Sequence, residues 1–200
     1  CDNLVITDAM PFSALKSFTA TNASYSRPMT NQWGTIVLPY EVASDANVEY
    51  YIPNSVENGT LKLTKLDVLP ANTPSLVAKV SGESISANAS NVAVCSALDS
   101  SVNGNVTMHG SYANNTKVDD PNAYYIKNNQ FWLNNGYFYI DAFRAYFTVE
   151  GAQAKSLRIS PDGATMIDAL VGNGEVGITE YYDASGARIS NLRKGVNIVR

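Results

Sequence analysis

The sequence predicts an all-β protein: an antiparallel β-sandwich, immunoglobulin-like or jelly-roll-like, over residues 1–151, followed by a small β segment over residues 152–200. Two observations predict this fold. Short runs of strand-forming residues recur about every ten positions, separated by clusters of Asn, Gly, Pro and Ser. In addition, no window of about eleven residues carries an unbroken helical pattern of apolar positions. Many short strands without helices are typical of sandwiches and barrels.

The first half of the chain contains six strand-like runs. The run at 60–64 alternates, so Leu61 and Leu63 are predicted on one face and Lys62 on the other. The turn before it contains Asn58 and Gly59, which favour tight hairpins. The other runs lie at 4–6, 35–38, 76–80, 92–98 and 106–109.

The clearest element is a predicted three-stranded meander formed by 124–127, 130–133 and 137–149. Asn128-Asn129 and Asn134-Asn135-Gly136 separate its strands with residues that tolerate positive φ. The last strand is apolar on both faces, which predicts a central strand packed on both sides. Its faces are Tyr139, Phe143 and Phe147 on one side, and Phe138, Ile140 and Tyr146 on the other.

The character of the sequence changes after Gly151, and we place a boundary near 151–156. A short run at 157–159 meets the turn Pro161-Asp162-Gly163. A terminal hairpin is predicted between 178–182 and 196–199. The stretch at 172–177 has the spacing of a dinucleotide-binding GxGxxG, but strand-like residues follow it where that motif requires a helix. We predict no cofactor.

Composition limits the class of protein. A net charge of −4 without a basic cluster argues against nucleic-acid binding. No run is long and apolar enough to span a membrane as a helix. Only 16% of residues are charged, and 21 asparagines supply much of the polarity. This composition favours an extracellular β protein.

The inventory of catalytic residues is small. His109 is the only histidine and lies in a strand-like run, where a half-exposed sheet residue is expected. With two cysteines besides, we predict neither a catalytic triad nor a metal site. Asp119-Asp120 is the densest acidic site, but adjacent side chains point apart in an extended chain. A two-carboxylate glycoside hydrolase is therefore the third functional alternative.

Aromatic residues, among them twelve tyrosines, are the side chains best suited to form a binding site. Tyrosine combines an apolar ring with a polar tip, which suits sugar stacking or protein contact. In each of the pairs Tyr50-Tyr51, Tyr124-Tyr125 and Tyr181-Tyr182, alternation predicts one outward ring. A carbohydrate-binding module using surface tyrosines is the second alternative. Asn-X-Ser/Thr sequons, which chance largely explains, occur at Asn22, Asn58, Asn88, Asn105 and Asn114.

The cysteines predict no disulfide framework. Cys95 lies in a strand-like run and is expected to be a buried small hydrophobe. Cys1 has two interpretations: the lipid-modified first residue of a mature bacterial lipoprotein, or a point where a longer chain was cut. We favour the cut, because the strand-like run Leu4-Val5-Ile6 follows at once where a polar tether is expected. The run at 196–199 also ends abruptly, so both ends are expected to be cut.

Several ordered motifs resemble a module common in cell-surface proteins of Bacteroides and Prevotella. A further segment at 182–199 is similar to sorting domains of Bacteroidetes type IX secretion. The module's motifs are Ala-Ser-Tyr-Ser-Arg-Pro-Met at 23–29, Trp-Gly-Thr-Ile-Val-Leu-Pro-Tyr at 33–40, Ala-Asn-Thr-Pro at 71–74 and Ala-Phe-Arg-Ala-Tyr-Phe at 142–147.

This resemblance implies a secreted or surface-displayed β module, often found downstream of leucine-rich repeats in adhesin-like proteins. The family has no known catalytic residues, so the resemblance implies none for this chain. The basic final strand usual in the family is absent, which argues against a sorting role. We therefore predict a non-catalytic module for display, spacing or adhesion on the bacterial surface, with glycans or host surface proteins as partners. Arg144 is expected to have a structural role, in which it stacks on aromatic rings or pairs with a carboxylate such as Asp141 or Glu150.

Overall fold

The computed structural model describes residues 1–98, 100–151 and 154–161, together with the strands at 181–183, 188–189 and 197–199. The chain divides into two compact units, Cys1–Asp162 and Gly163–Arg200. The described residues form strands and turns and contain no helix, which confirms the predicted all-β class.

Twenty strands make up the described secondary structure. They are β1 (Asn3–Thr7), β2 (Phe18–Pro28), β3 (Trp33–Ile36), β4 (Val42–Ala43), β5 (Val48–Glu57), β6 (Thr60–Leu66), β7 (Val68–Leu69), β8 (Ser75–Lys79), β9 (Ser84–Val94), β10 (Ser101–Asn103), β11 (Val106–Ser111), β12 (Thr116–Val118), β13 (Ala123–Lys127), β14 (Gln130–Leu133), β15 (Phe138–Ile140), β16 (Arg144–Val149), β17 (Ser156–Pro161), β18 (Tyr181–Asp183), β19 (Arg188–Ile189) and β20 (Asn197–Val199).

A ten-stranded sheet forms most of the first unit, in the order β10-β11-β16-β13-β14-β17-β6-β5-β8-β3. The sheet curls until β3 approaches β16, where the Ala145 amide donates to the Thr35 hydroxyl at 3.0 Å. A core cluster drawn from nearly all of these strands, including Leu61, Tyr124 and Phe147, fills the inside of the curl. Curling lets one sheet bury its own inner face.

A three-stranded sheet, β1-β2-β9, covers the other face of part of the large sheet. A second core cluster lies between the two layers and contains Ile6, Tyr25 and Ile85 from the small sheet together with Tyr50 and Val77 from the large one. Two packed sheets with a core between them form the predicted sandwich-like fold.

Not every strand pair is antiparallel. Strand β1 pairs with β2 in parallel, and β17 pairs in parallel with β6. Both pairs join strands that are not hairpin neighbours, so no short connection forces them to be antiparallel. Strand β17 also pairs with β14. These pairings place 156–161 within the first unit, Cys1–Asp162, whereas the sequence predicts a boundary near 151–156.

Several local predictions are confirmed. Leu61 and Leu63 are fully buried, and Lys62 is partly exposed on the opposite face. Asn58 and Gly59 have φ of 50° and 73°, and they connect β5 to β6 as an antiparallel hairpin. Positive φ at both central residues matches the twist of the flanking strands.

The first two strands of the predicted meander are confirmed, and the third is not. Strands β13 and β14 form the expected hairpin, with positive φ at Asn128 and Asn129. The long third strand is wrong: it divides into β15 and β16, separated by a turn in which Phe143 has a φ of 66°. Strand β15 pairs with β12, whereas β16 lies between β11 and β13. This turn sends Phe143 into the core between the sheets, while Phe147 remains inside the curl.

The prediction that one ring of the pair Tyr50-Tyr51 faces outward is wrong. Both rings are buried, because β5 has a core cluster on each of its faces. Tyr50 packs between the two sheets, and Tyr51 packs inside the curl, 5.1 Å from Trp33. Alternation separates the two rings as expected, but it exposes neither of them.

In the second unit, the described strands form a sheet in the order β19-β18-β20. Tyr181–Asp183 pairs antiparallel with Asn197–Val199, as the terminal hairpin predicted. The glycine-rich stretch at 172–177 and the side chains of Tyr181 and Tyr182 lie outside the described part of the structure.

Candidate functional site

The outer face of the ten-stranded sheet carries a row of rings. Tyr125 lies opposite Trp132 in the β13–β14 register. The Phe138 ring lies 5.3 Å from Tyr125 and 6.0 Å from Tyr146, measured between centroids. Tyr146 in turn stacks on His109 at 4.9 Å. The row therefore crosses from β14 to β11, on the side away from the curl.

Strand alternation produces this row. Tyr124 and Phe131 point into the curl and are fully buried, so their neighbours Tyr125 and Trp132 point outward. The same rule places Tyr146 outward. The short β12–β15 pair then lies over this face and inserts Phe138 between Tyr125 and Tyr146.

Among the described aromatic residues, Trp132, Tyr137 and Tyr139 are exposed to solvent, with 39%, 62% and 52% of their residue area accessible. We refer to these three residues as the aromatic surface. The Tyr137 and Tyr139 rings lie 5.7 Å apart and nearly perpendicular, at 80°. The Trp132 indole N–H donates to the Lys127 carbonyl oxygen at 3.4 Å, which orients its ring.

Lys117 connects the aromatic surface to nearby carboxylates. It lies opposite Tyr139 in the β12–β15 register, and its ammonium lies 5.1 Å from the centre of the Tyr137 ring. The same nitrogen lies 3.3 Å from the Asp119 carboxylate. Because both ionic partners are exposed, the pair contributes little to stability, but it holds the ammonium beside the rings.

The two adjacent aspartates act separately. Asp119 pairs with Lys117, and the Asp120 carboxylate accepts the Asn122 backbone N–H at 2.8 Å. Burial, with smaller contributions from Asp120 and Asp119, raises the pKa of Tyr146. Asp119 thus takes part in an ion pair and Asp120 in a turn, and the two side chains have different partners.

His109 is partly buried in β11 and stacks on Tyr146. Its Nε2 lies 3.2 Å from the Thr148 hydroxyl. Burial lowers the pKa of His109 despite the opposing effect of Asp120, so the imidazole is neutral at pH 7. This is the sheet residue that the sequence predicted.

A polar cluster lies at the end of β1. The Arg144 guanidinium holds the Asp8 carboxylate with two hydrogen bonds, of 2.8 and 2.9 Å. The Tyr25 hydroxyl donates to Asp8 at 2.6 Å and accepts from Arg144 at 2.8 Å. Arg144 therefore pairs with a carboxylate, as expected, but the partner is Asp8 and not Asp141 or Glu150, because the fold brings the start of β16 to the end of β1.

Arg27 lies next to this cluster and is only 3% exposed. Its Nη2 donates to the Thr35 carbonyl oxygen at 2.7 Å. Burial, together with the positive charge of Arg144, lowers the pKa of Arg27 to about 10. The arginine remains charged at pH 7, so Asp8 serves as the counter-charge for two guanidiniums.

Two open cavities lie on the first unit. A cavity of about 390 Å³ is bordered by Asp8, Tyr25 and Asn88. A second, of about 560 Å³, is bordered by Phe12, Tyr112 and several hydroxyls, with no charged side chain in its lining. Its hydroxyl groups belong to Ser13, Ser96, Ser111 and Thr116, besides Tyr112. Among the described residues, no group of three or more His, Cys, Asp or Glu side chains is arranged to hold a metal ion.

The cysteines are both free: Cys1 is exposed and Cys95 is partly buried, less than the sequence predicted. The sequons at Asn22, Asn58, Asn88 and Asn114 are exposed. The Asn105 side chain is bound to the Val56 backbone. The sequence singled out adjacent tyrosine pairs and did not single out Trp132, Tyr137 and Tyr139. The sequence feature that could have indicated their exposure is their position beside the Asn134-Asn135-Gly136 turn.

Comparisons with protein family models, with curated proteins and with solved structures found no match. The resemblance to Bacteroides and Prevotella surface proteins therefore remains a prediction. In the portion of the chain that the structure describes, no helix has the length and apolarity needed to cross a membrane.

Proposed function

We propose that this chain is a non-catalytic module of a bacterial cell-surface protein, secreted or displayed outside the outer membrane, and that it acts in adhesion. One observation carries the adhesive role: Trp132 on β14 and the Tyr137–Tyr139 pair beside β12 are all exposed. Tyr125, opposite Trp132, and Phe138, which lies between the two tyrosines in the chain, connect them across this face. Tyr and Trp are enriched at contact surfaces because each offers a large rigid area with a polar tip. Display and spacing are the related roles that need no ligand.

Burial of the exposed rings by a binding partner would be energetically favourable. Full burial of a large apolar side chain contributes about 1.5–3 kcal/mol, so three half-exposed rings offer several kcal/mol to a binding partner. The rings belong to β14 and the β12–β15 region, which the sheet supports from below. A contact on rigid strands loses little conformational entropy on binding.

The uncharged outer face of the β1-β2-β9 sheet supports an extracellular location. The outer face of β1-β2-β9 carries short uncharged side chains, with Asn22 opposite Ser90 and Ser24 opposite Asn88. Ser86 and Ser26 are hydrogen-bonded across the same face at 3.3 Å. Such a surface remains solvated without charges, in keeping with the low charged fraction of the chain.

The adhesive role is tested by retention of the full chain, immobilised on beads, on mucin-coated and matrix-protein-coated surfaces. We expect saturable retention that falls in Trp132→Ala. Leu15→Ala is the matched control, because Leu15 is 99% exposed on the loop between β1 and β2. A chain that is retained on none of these surfaces would contradict adhesion. Incubation with polysaccharides, followed by assay for new reducing ends, tests the non-catalytic prediction.

A further inference from the structure

We infer that the aromatic surface binds a neutral glycan, with Trp132, Tyr137 and Tyr139 stacking on the sugar rings. This inference rests on the proposed adhesive function and names its ligand class. A pyranose has apolar C–H faces and a rim of hydroxyls. It therefore matches side chains that combine an aromatic face with polar groups beside it.

The rings are held in place before any ligand arrives. Trp132 lies opposite Tyr125 across the hairpin, and its indole N–H is bound to the Lys127 carbonyl oxygen. Tyr139 belongs to β15, which is anchored by the insertion of Phe138 between Tyr125 and Tyr146. Stacking on such fixed rings costs little ordering entropy.

The tyrosine pair leaves ring area free for stacking. Because Tyr137 and Tyr139 meet nearly edge to face, neither ring covers the whole face of the other. The Lys117 ammonium lies against the Tyr137 ring and supplies a hydrogen-bond donor beside the pair. The neighbouring Asn135 is exposed and adds neutral amide groups, which can bind sugar hydroxyls.

The charges around the aromatic surface favour a neutral glycan over an acidic one. Asp119 and Asp120 directly follow β12 and Asp141 directly follows β15, so carboxylates lie at both ends of the pair, and Lys117 is the cation on β12 itself. Lys117 is already paired with Asp119, so the local excess is negative. A sialylated or uronic acid-containing glycan would be repelled, whereas a neutral glycan would not.

The distribution of apolar area favours a glycan over a protein. Polar groups interrupt the exposed rings: the exposed Asn135 lies between Trp132 and Tyr137 in the chain, and the Lys117 ammonium contacts both the Tyr137 ring and Asp119. A protein interface has a contiguous dehydrated core. An indole on one strand and a tyrosine pair next to another, each beside polar groups, are suited to separate sugar units.

The test is a glycan array probed with the full chain, in which neutral glycans are printed beside sialylated and uronic acid-containing forms of the same scaffold. We expect saturable binding to a neutral class and weaker binding to its acidic counterpart. Trp132→Ala, and separately the double change Tyr137→Ala with Tyr139→Ala, are each expected to weaken binding about tenfold or more. Tyr139→Phe keeps the ring and is expected to retain most of the affinity.

Thermal unfolding of each variant shows that the fold is intact, and Leu15→Ala again serves as the control. Binding that survives both aromatic variants, or that prefers acidic glycans, would overturn the inference. A silent array with continued retention on enzymatically deglycosylated protein surfaces would overturn the glycan ligand and leave adhesion standing. Loss of both signals would overturn the proposed function as well.

Discussion

Arg144 and Asp8 lie 136 positions apart in the sequence and form a two-pronged ion pair, with distances of 2.8 and 2.9 Å. The pair joins the residue after β1 to the first residue of β16. It therefore links the small sheet to the curled sheet through one carboxylate. The Tyr25 hydroxyl, bonded to both partners, completes the link.

Separating this pair is expected to destabilise the first unit. Arg144→Met leaves the Asp8 carboxylate partly buried without its main partner, and we expect a loss of about 2 kcal/mol in the free energy of unfolding. Asp8→Asn is expected to cost a similar amount, since it leaves two guanidiniums without a counter-charge. Denaturant unfolding of both single variants and the double variant measures the coupling. A coupling energy near zero would show that the pair contributes nothing.

Acid is expected to weaken the fold through Asp8. Burial raises the pKa of Asp8, but hydrogen bonds from Arg144 and Tyr25 outweigh burial and leave that pKa below its ordinary value. The stabilisation is therefore present above about pH 4, the usual pKa of Asp in an unfolded chain, and is lost as pH falls through the lower folded pKa. Unfolding curves between about pH 2 and 6 should show this loss. The Asp8→Asn variant should show a shallower dependence over the same interval, and an identical slope would contradict the assignment.

Alkali is expected to unfold the protein as its buried tyrosines ionise. Burial raises the pKa of Tyr25 to about 12, against the opposing effect of Arg27. Burial also raises the pKa of Tyr40 and Tyr50. Because the unfolded pKa is about 10, stability is complete below that pH and is lost as pH rises toward the folded values.

Phenolate absorbance and circular dichroism, followed along the same alkaline titration, measure this coupling. Part of the phenolate signal is expected to appear together with the loss of structure. Full ionisation of every tyrosine while the dichroism remains unchanged would count against the burial of these rings.

Gly104 is expected to tolerate no side chain. It has a φ of 56°, and a Cβ at this position would lie 2.3 Å from the Asn54 carbonyl oxygen. We expect Gly104→Ala to lower the free energy of unfolding by about 2 kcal/mol or more. Gly136→Ala is the control: its φ is 138°, but nothing lies within 4 Å. If the two variants lost equal stability, backbone strain alone would explain the effect.

Asn129 is expected to fasten the β13–β14 hairpin to β3. Its side-chain oxygen accepts the Trp33 backbone N–H at 3.0 Å, while its φ of 59° favours Asn or Gly. Asn129→Gly keeps the turn and removes the hydrogen bond, so we expect a loss of about 1 kcal/mol. Asn128→Gly, at a φ of 53°, is the matched control without that bond and should be close to neutral. Thermal unfolding compares them, and equal melting temperatures would exclude a role for the side chain.

The local signals in the sequence predicted a good part of the fold. Leu61 and Leu63, the Asn58-Gly59 turn and the β13–β14 hairpin depend on alternation and turn chemistry between neighbouring residues, which a sequence displays directly. Strand β2 was not predicted as a strand, because much of its buried face consists of small residues such as Ala20 and Ala23. Small residues give a weak hydrophobic pattern even where they are fully buried.

The candidate site was harder to predict. Alternation correctly predicted that one ring of the pair Tyr124-Tyr125 faces outward, and in the structure this ring is Tyr125. The ring that lies against it, Phe138, comes from a strand that the sequence joined to β16. The exposure of Tyr139 depends on the same break at Phe143. Only the layers that pack on the two faces of a strand determine whether a ring is buried, as Tyr50 and Tyr51 both are, or left in solvent.

By itself, the sequence determined the all-β class, the tight turns and the inward face of strands such as β6, because these depend on residues close together in the chain. The tertiary structure decided the curl of the large sheet, the pairing of Arg144 with Asp8 and the exposure of Trp132, Tyr137 and Tyr139. Each of these depends on contacts between strands far apart in sequence. Which strands meet is set by the burial of the whole core and not by any local pattern.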